Sequence, residues 1–222
     1  MRRLVTSGWF VFAASKPPLY HQVLGIPETD RELDEDDSDK HPLTAYARTK
    51  WEAEQRISEA HAQRALRATV LRLFNHTHKS QSPRFFLPHV HQAIVQGARD
   101  IQVGNLRLSR DLGSIQDLTA ALLAALDRDE AHEVFNVCSG AAKRLDLLAN
   151  QLAARLGADV AFITDPAKLR ANEPDVIRGS HARFTEATGW TPRALTEAAL
   201  LDAFLADEDA LPVGDSRHGQ SG

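Results

Sequence analysis

A chain of 222 residues that is 43% apolar can bury a core as one domain or as a domain and a lobe. A net charge of −4 with scattered Lys and Arg excludes a polyanion-seeking surface, and a single cysteine, Cys138, excludes an internal disulfide framework. No stretch reaches the roughly 18 apolar residues of a membrane span, so the expectation is a cytoplasmic protein that binds neither nucleic acid nor membrane.

The chain starts "MRRLVTSGWFVFAA", basic residues followed by a short apolar run. Thr6, Ser7 and Gly8 break the run and no convincing cleavage site follows, so it reads as a strand over "RRLVT" and its turn rather than a leader. The acid-rich stretch that follows, containing "ELDEDDSDKHP", reads as a solvated loop because clustered like charges resist compaction. A helix is expected from about Thr44 towards Ala65, with Trp51, Ile57 and Ala60 at helical spacing. "RATVLRLFN" is a continuous apolar run of strand length, the pattern of a strand covered on both faces.

Further along, "PRFFLPHVHQAIVQGA" predicts a helix that Pro88 bends or interrupts. "IQVGNLRLSRD" reads as a hairpin leading into the helix "IQDLTAALLAALD". "EVFNVCSG" predicts a strand, "LDLLANQLAARLG" a helix closed by Gly157, "ADVAFIT" a short strand and "TEAALLDAFLADE" the last helix. Strands alternating with helices of this length indicate crossover units and a mostly parallel sheet. The shorter, more polar strands late in the chain suggest a small lobe beside it.

The chemistry centres on "TAYARTKWEAEQ". Four residues are about one helical turn, so Tyr46 and Lys50 share a face. An ammonium near a phenol favours phenolate and lowers the tyrosine pKa from about 10, which suits a general acid or base near neutral pH. On spacing alone ordinary helix surface is the commoner reading of such a pair, since short motifs match by accident. "TSG" at residues 6–8 supplies a hydroxyl that could share the same carbonyl oxygen, and alone it is a common turn.

Ordered blocks carry a resemblance over nearly the whole chain. "HPLTAYARTKWEAE", "VLRLFNHT" with "SQSP", "VGNLRLSRDLGSIQDL", "VFNVCSG" with "LDLLANQLA", and "DPAKLRANEPDVIRGSHARFTEATGWTP" are similar to the extended short-chain dehydrogenase/reductases. Within these, the chain resembles the NAD-dependent epimerase/dehydratase group that works on nucleotide sugars. The resemblance implies a truncated Rossmann-like, doubly wound parallel sheet with a small C-terminal substrate-binding lobe. The implied division is residues 1–98 for the sheet part with the Tyr-x-x-x-Lys helix, 99–212 for the lobe with return elements, and 213–222 for a loose polar tail.

It also implies an NAD(P)-dependent oxidoreductase reducing the C4 ketone of a GDP-linked 6-deoxy-hexulose, with 4,6-dehydration or epimerisation as alternatives. Tyr46 and Lys50 would serve catalysis and hold the NAD or NADP nicotinamide ribose, and Ser7 would supply the third catalytic group. Asn75, Arg110, Arg178 and Arg183 would surround the nucleotide diphosphate. Matching the family turn Ser-Ser-Gly-x-Val-Tyr-Gly onto "TSGWFVFA" from its right puts Gly8 at the hydroxyl position, and the reading from its left is preferred. Trp9 and Phe10 then fill positions where dehydratases carry an acid–base carboxylate, which favours the reductase. Family members are homodimers and carry a Gly-x-x-Gly-x-x-Gly turn for the cofactor pyrophosphate ahead of this point. No such motif occurs here, so the chain resembles the C-terminal part of such an enzyme. Negligible cofactor binding by these 222 residues, or a catalytically silent remnant, is the corresponding expectation.

Two rival readings are weaker. His76, His78, His89 and His91 form two His-x-His pairs, but no Cys or acidic ligand sits beside them in sequence, so no metal is expected. Cys138, inside a strand, reads as a small buried apolar residue rather than a nucleophile.

Overall fold

The computed structural model describes residues 9–14, 32–36, 45–63, 67–128, 134–169 and 173–206. The expected strand over "RRLVT", the loops around residues 15–31 and 37–44, and the tail from Val213 lie outside the described residues.

The centre of the molecule is a three-stranded sheet in the order β1 (Trp9–Ala14), β3 (Arg67–Leu73), β7 (Val134–Val137), parallel throughout. The apolar run in β3 is explained by cover on both faces. Ala68 and Val70 pack under Ile57 of helix α1 (Ala45–Ala62), whereas Leu71 packs with Phe135, Val137, Phe184 and Trp190 on the opposite side. That second face is closed by α3 (Ile115–Leu126), through Ala121 and Ala125, and α5 (Ala182–Thr188). Helices on both faces of a parallel sheet make this the doubly wound architecture that the alternating elements predict.

A second sheet grows directly out of the first. After β3 the chain passes one residue, Phe74, whose amide donates to the Val137 carbonyl at 2.9 Å, and enters β4 (Asn75–Thr77). The strand order there is β2 (Glu32–Leu33), β10 (Val176–Gly179), β6 (Ser109–Ser114), β4, with β8 (Ala142–Arg144) antiparallel on β6. Phe74 fills the junction with Leu33, Cys138 and Ile177. Gly179 permits this crossing, since a Cβ there would stand 2.3 Å from the Phe74 ring. A third, two-stranded sheet pairs β5 (Asp100–Val103) with β9 (Ala161–Thr164). Around it α2 (Phe86–Val95), α4 (Leu145–Arg155) and α6 (Glu197–Leu205) bury Leu87, Val90, Leu148, Leu152, Leu200 and Phe204.

"WFVFAA", an aromatic and β-branched run, forms β1 and pairs with residues 67–72 of β3. Three expectations need correction. "IQVGNLRLSRD" is not a hairpin: β5 pairs with β9 and β6 with β4, β8 and β10, so the two strands belong to different sheets. Pro88 does not interrupt α2; as the third residue of the helix it needs no intrahelical N–H bond. The acidic run is not wholly a solvated loop, for Glu32–Leu33 forms β2 and both Leu33 and Glu35 are buried.

Candidate active site

Asn75 lies just past the carboxyl end of β3, and Arg110 is the second residue of β6. On α1, Tyr46 and Lys50 are one turn apart and Glu54 is one turn further along. Glu54 is buried and tied to Arg72 of β3: Arg72 Nη2 donates to Oε2 at 2.9 Å and Nε reaches both carboxylate oxygens at 3.3 Å. Arg72 Nη1 donates to the Glu35 carbonyl at 3.1 Å. Glu35 in turn accepts the Asn136 amide at 2.6 Å, and Asn136 Nδ2 donates to the Leu33 carbonyl. Arg72 shares the β3 face of Ala68 and Val70, so the pair fixes how α1 is turned against the sheet.

β3 and β4 lead Asn75 and His76 to the rim of a cavity of about 690 Å³. Its wall includes Asn75, Arg84, Phe85, Phe86, His89, Gln102, Arg110, Lys168 and Glu173. Three cations, Arg84, Arg110 and Lys168, meet one carboxylate, Glu173, among the described lining residues. Leu106, Leu108, Leu112 and Leu145 make the rest largely apolar. This combination suits an anionic ligand with a flat, apolar part. Gln102 marks one end: its carbonyl faces His89 Nε2 at 2.9 Å and accepts from Lys168 Nζ at 2.6 Å.

Arg110 is held from behind. Its Nη1 donates to the carbonyls of Ser109 at 2.7 Å and Asp175 at 3.1 Å. Its Nη2 stands 3.0 Å from Glu173 Oε1 but makes no aligned hydrogen bond. The next residue, Asp111, is fully buried and accepts four hydrogen bonds, from the amides of Ser139, Gly140 and Gly179 and the hydroxyl of Ser139. Lys143 Nζ donates to that hydroxyl at 2.9 Å, and burial pushes its pKa down against the pull of Asp111. Asp117 similarly accepts the amides of Arg193 and Ala194. In "SRDLGSIQD" the arginine therefore faces the cavity while the two aspartates lock strands and loops behind it.

The sequence-predicted residues separate into three groups. Asn75 and Arg110 line the cavity together. Arg178, opposite Glu32 in the β2–β10 pair, and Arg183 are not among its described lining residues. Arg183 instead binds Asp36 and lies 3.9 Å from Glu35, fastening α5 to the segment after β2. Ser7 lies outside the described residues and precedes β1, whereas Asn75 follows the carboxyl end of the parallel strand β3. The residue that follows the same end of β1 is Ser15, also outside the described residues. Trp9 and Phe10, which the match to the family turn places just after Ser7, are strand residues paired with Arg67 and Ala68.

Glu173, His89, Gln102 and Lys168 escaped the sequence reading. Lys168 and Glu173 lie in the block "DPAKLRANEPD", where nothing local singles them out. The four histidines of the rival metal reading have other engagements. His76 Nδ1 faces the Phe74 carbonyl, His78 Nδ1 accepts the Ser80 amide, His89 meets Gln102, and His91 packs edge-on against Phe204.

Residues 4–138 match the NAD dependent epimerase/dehydratase family. Over 172 residues the chain is 35% identical to GDP-6-deoxy-D-mannose reductase of Pseudomonas aeruginosa, a match covering 75% of this chain and 56% of that relative. The chain thus spans little more than half the length of the curated relative. Among solved structures it is similar to RMD from Pseudomonas aeruginosa complexed with NADPH, with TM-score 0.72 and 30% identity over 89% of this chain and 67% of that one. The UDP-glucuronic acid 4-epimerase from Bacillus cereus, in complex with UDP-glucuronic acid and NAD, gives TM-score 0.74 at 18% identity over 88% and 60% of the two chains. That second likeness is one of fold.

Proposed function

Because the chain belongs to the NAD dependent epimerase/dehydratase family, we propose that it is a cytoplasmic nucleotide-sugar oxidoreductase that reduces the C4 ketone of a GDP-linked 6-deoxy-hexulose. The observations that carry this are the cation-rich, partly apolar cavity beside the end of β3 and the Tyr-x-x-x-Lys pair on α1, the helix that packs on that strand through Ile57. The 35% identity to a GDP-6-deoxy-D-mannose reductase supports the choice of sugar. Residues 1–98 would form the catalytic part and 99–212 the substrate lobe, with β7 returning to the sheet and 213–222 a tail.

The donor set on α1 fits the nicotinamide end of an NAD or NADP cofactor, a phenol and an ammonium one turn apart. Such a cofactor, when bound, supplies the hydride. Tyr46 gives its phenolic proton to the ketone oxygen as the carbonyl becomes an alkoxide, so ketone, hydride and proton yield the alcohol. Lys50 stabilises the phenolate left behind and keeps the proton available near neutral pH. Arg110 and Asn75 anchor the nucleotide diphosphate and so place the sugar against Tyr46. For the third catalytic group, the sidedness of the sheet favours Ser15 over Ser7. Lys16, Pro17 and Pro18 follow Ser15, again without the carboxylate of a dehydratase, which keeps the reductase ahead of that alternative.

Turnover of a GDP-4-keto-6-deoxyhexose with NADPH is the test. Tyr46→Phe should lower turnover at least about a hundredfold with GDP affinity little changed. Ser15→Ala should be harmful and Ser7→Ala neutral. The measurement is made in a version of the protein complete with the family's cofactor-binding part, where unaltered turnover in Tyr46→Phe would reject the reading.

A further inference from the structure

Arg110 and Glu173 are unevenly matched. The guanidinium side chain is only 9% exposed, its Nη1 is saturated by two carbonyls, and its Nη2 has a carboxylate 3.0 Å away without a hydrogen bond to it. A nine-tenths-buried donor at a cavity wall, left unaligned, is unusual in a settled ion pair. Glu173 is more open, at 21%, and is the one carboxylate among the described residues that line the cavity, against Arg84, Arg110 and Lys168.

We propose that Glu173 is the internal counter-ion of Arg110, competing with a ligand's phosphate for the same guanidinium. It limits the affinity of nucleoside diphosphates while leaving the uncharged nucleoside unaffected. The inference rests on the nucleotide reading above. A buried guanidinium without an anion carries a desolvation penalty of several kcal/mol, so a resident carboxylate stabilises the fold. The same carboxylate repels an incoming diphosphate over a few ångströms of low-dielectric wall. The exchange is between two oxyanions at one fork, and the misaligned contact makes Glu173 the weaker of the two.

Calorimetric titration of the full chain with GDP and with guanosine tests this, each variant being checked for folding by thermal unfolding. Glu173→Gln should bind GDP roughly tenfold tighter, with guanosine affinity unchanged. Glu173→Asp, which keeps the charge but withdraws it by one methylene, should fall between. Arg110→Gln should lose about tenfold or more in GDP affinity. If Arg110→Gln loses affinity but Glu173→Gln binds GDP no tighter than the parent, Glu173 is an aid to Arg110 and the inference falls alone. If the parent fails to bind GDP, or Arg110→Gln binds it unchanged, the nucleotide reading falls and takes the inference with it.

Discussion

Arg72 and Arg110 are both 7% exposed, both lie on sheet strands and both meet a glutamate, yet they are built for different ends. Arg72 has Glu54 and the Glu35 carbonyl as acceptors for Nε, Nη1 and Nη2, and its surroundings are protein on every side described. Arg110 is satisfied only at its back and presents Nη2 to a cavity. A closed ion pair holds a frame in one geometry. A half-satisfied one keeps attraction in reserve for a ligand.

The comparison can be broken most strongly at the closed pair. Arg72→Leu or Glu54→Leu leaves a buried charge without its partner and should cost about 3–5 kcal/mol of stability, read by denaturant unfolding. Replacing both by apolar residues should recover most of that loss. Equal, small losses for all three variants would show that the pair does not hold α1 against β3.

A smaller effect sharpens the contrast from the cavity side. Burial holds the His76 imidazole below its usual range, outweighing the raising influence of the Phe74 carbonyl and of Asp111 and Asp117, while Lys143 lowers it further. As the pH drops below about 6.5 the unfolded chain then takes up a proton that the folded chain refuses. Stability should therefore be full above that pH and fall as the pH drops below it, by at most about 1.4 kcal/mol per unit. His76→Gln should flatten this slope in thermal unfolding, and an unchanged slope would assign it to other groups.

The sequence showed the closed and open regions unequally. β3 and α1 were legible because a run covered on both faces, and a helix with apolar positions at helical spacing, announce themselves locally. Asn75 and Arg110 were legible through family blocks. β2 was not, because "ELDED" looks solvated until Asn136, 101 positions away, is seen donating its amide to Glu35. The approach of Glu173 to Arg110 was hidden for the same reason, since the two are far apart in sequence. The strand Trp9–Ala14 was missed because "TSG" matched a turn motif by eye, although "WFVFAA" carries a strong strand preference.

The two tyrosines of the chain, Tyr20 and Tyr46, allow one direct measurement. In Tyr20→Phe the ultraviolet phenolate band reports Tyr46 alone, with no need for turnover or cofactor. Tyr46 should ionise below the usual value near 10, and Lys50→Met should return it to that value. A Tyr46 that titrates at about 10 or above, with or without Lys50, would contradict its role as the proton donor.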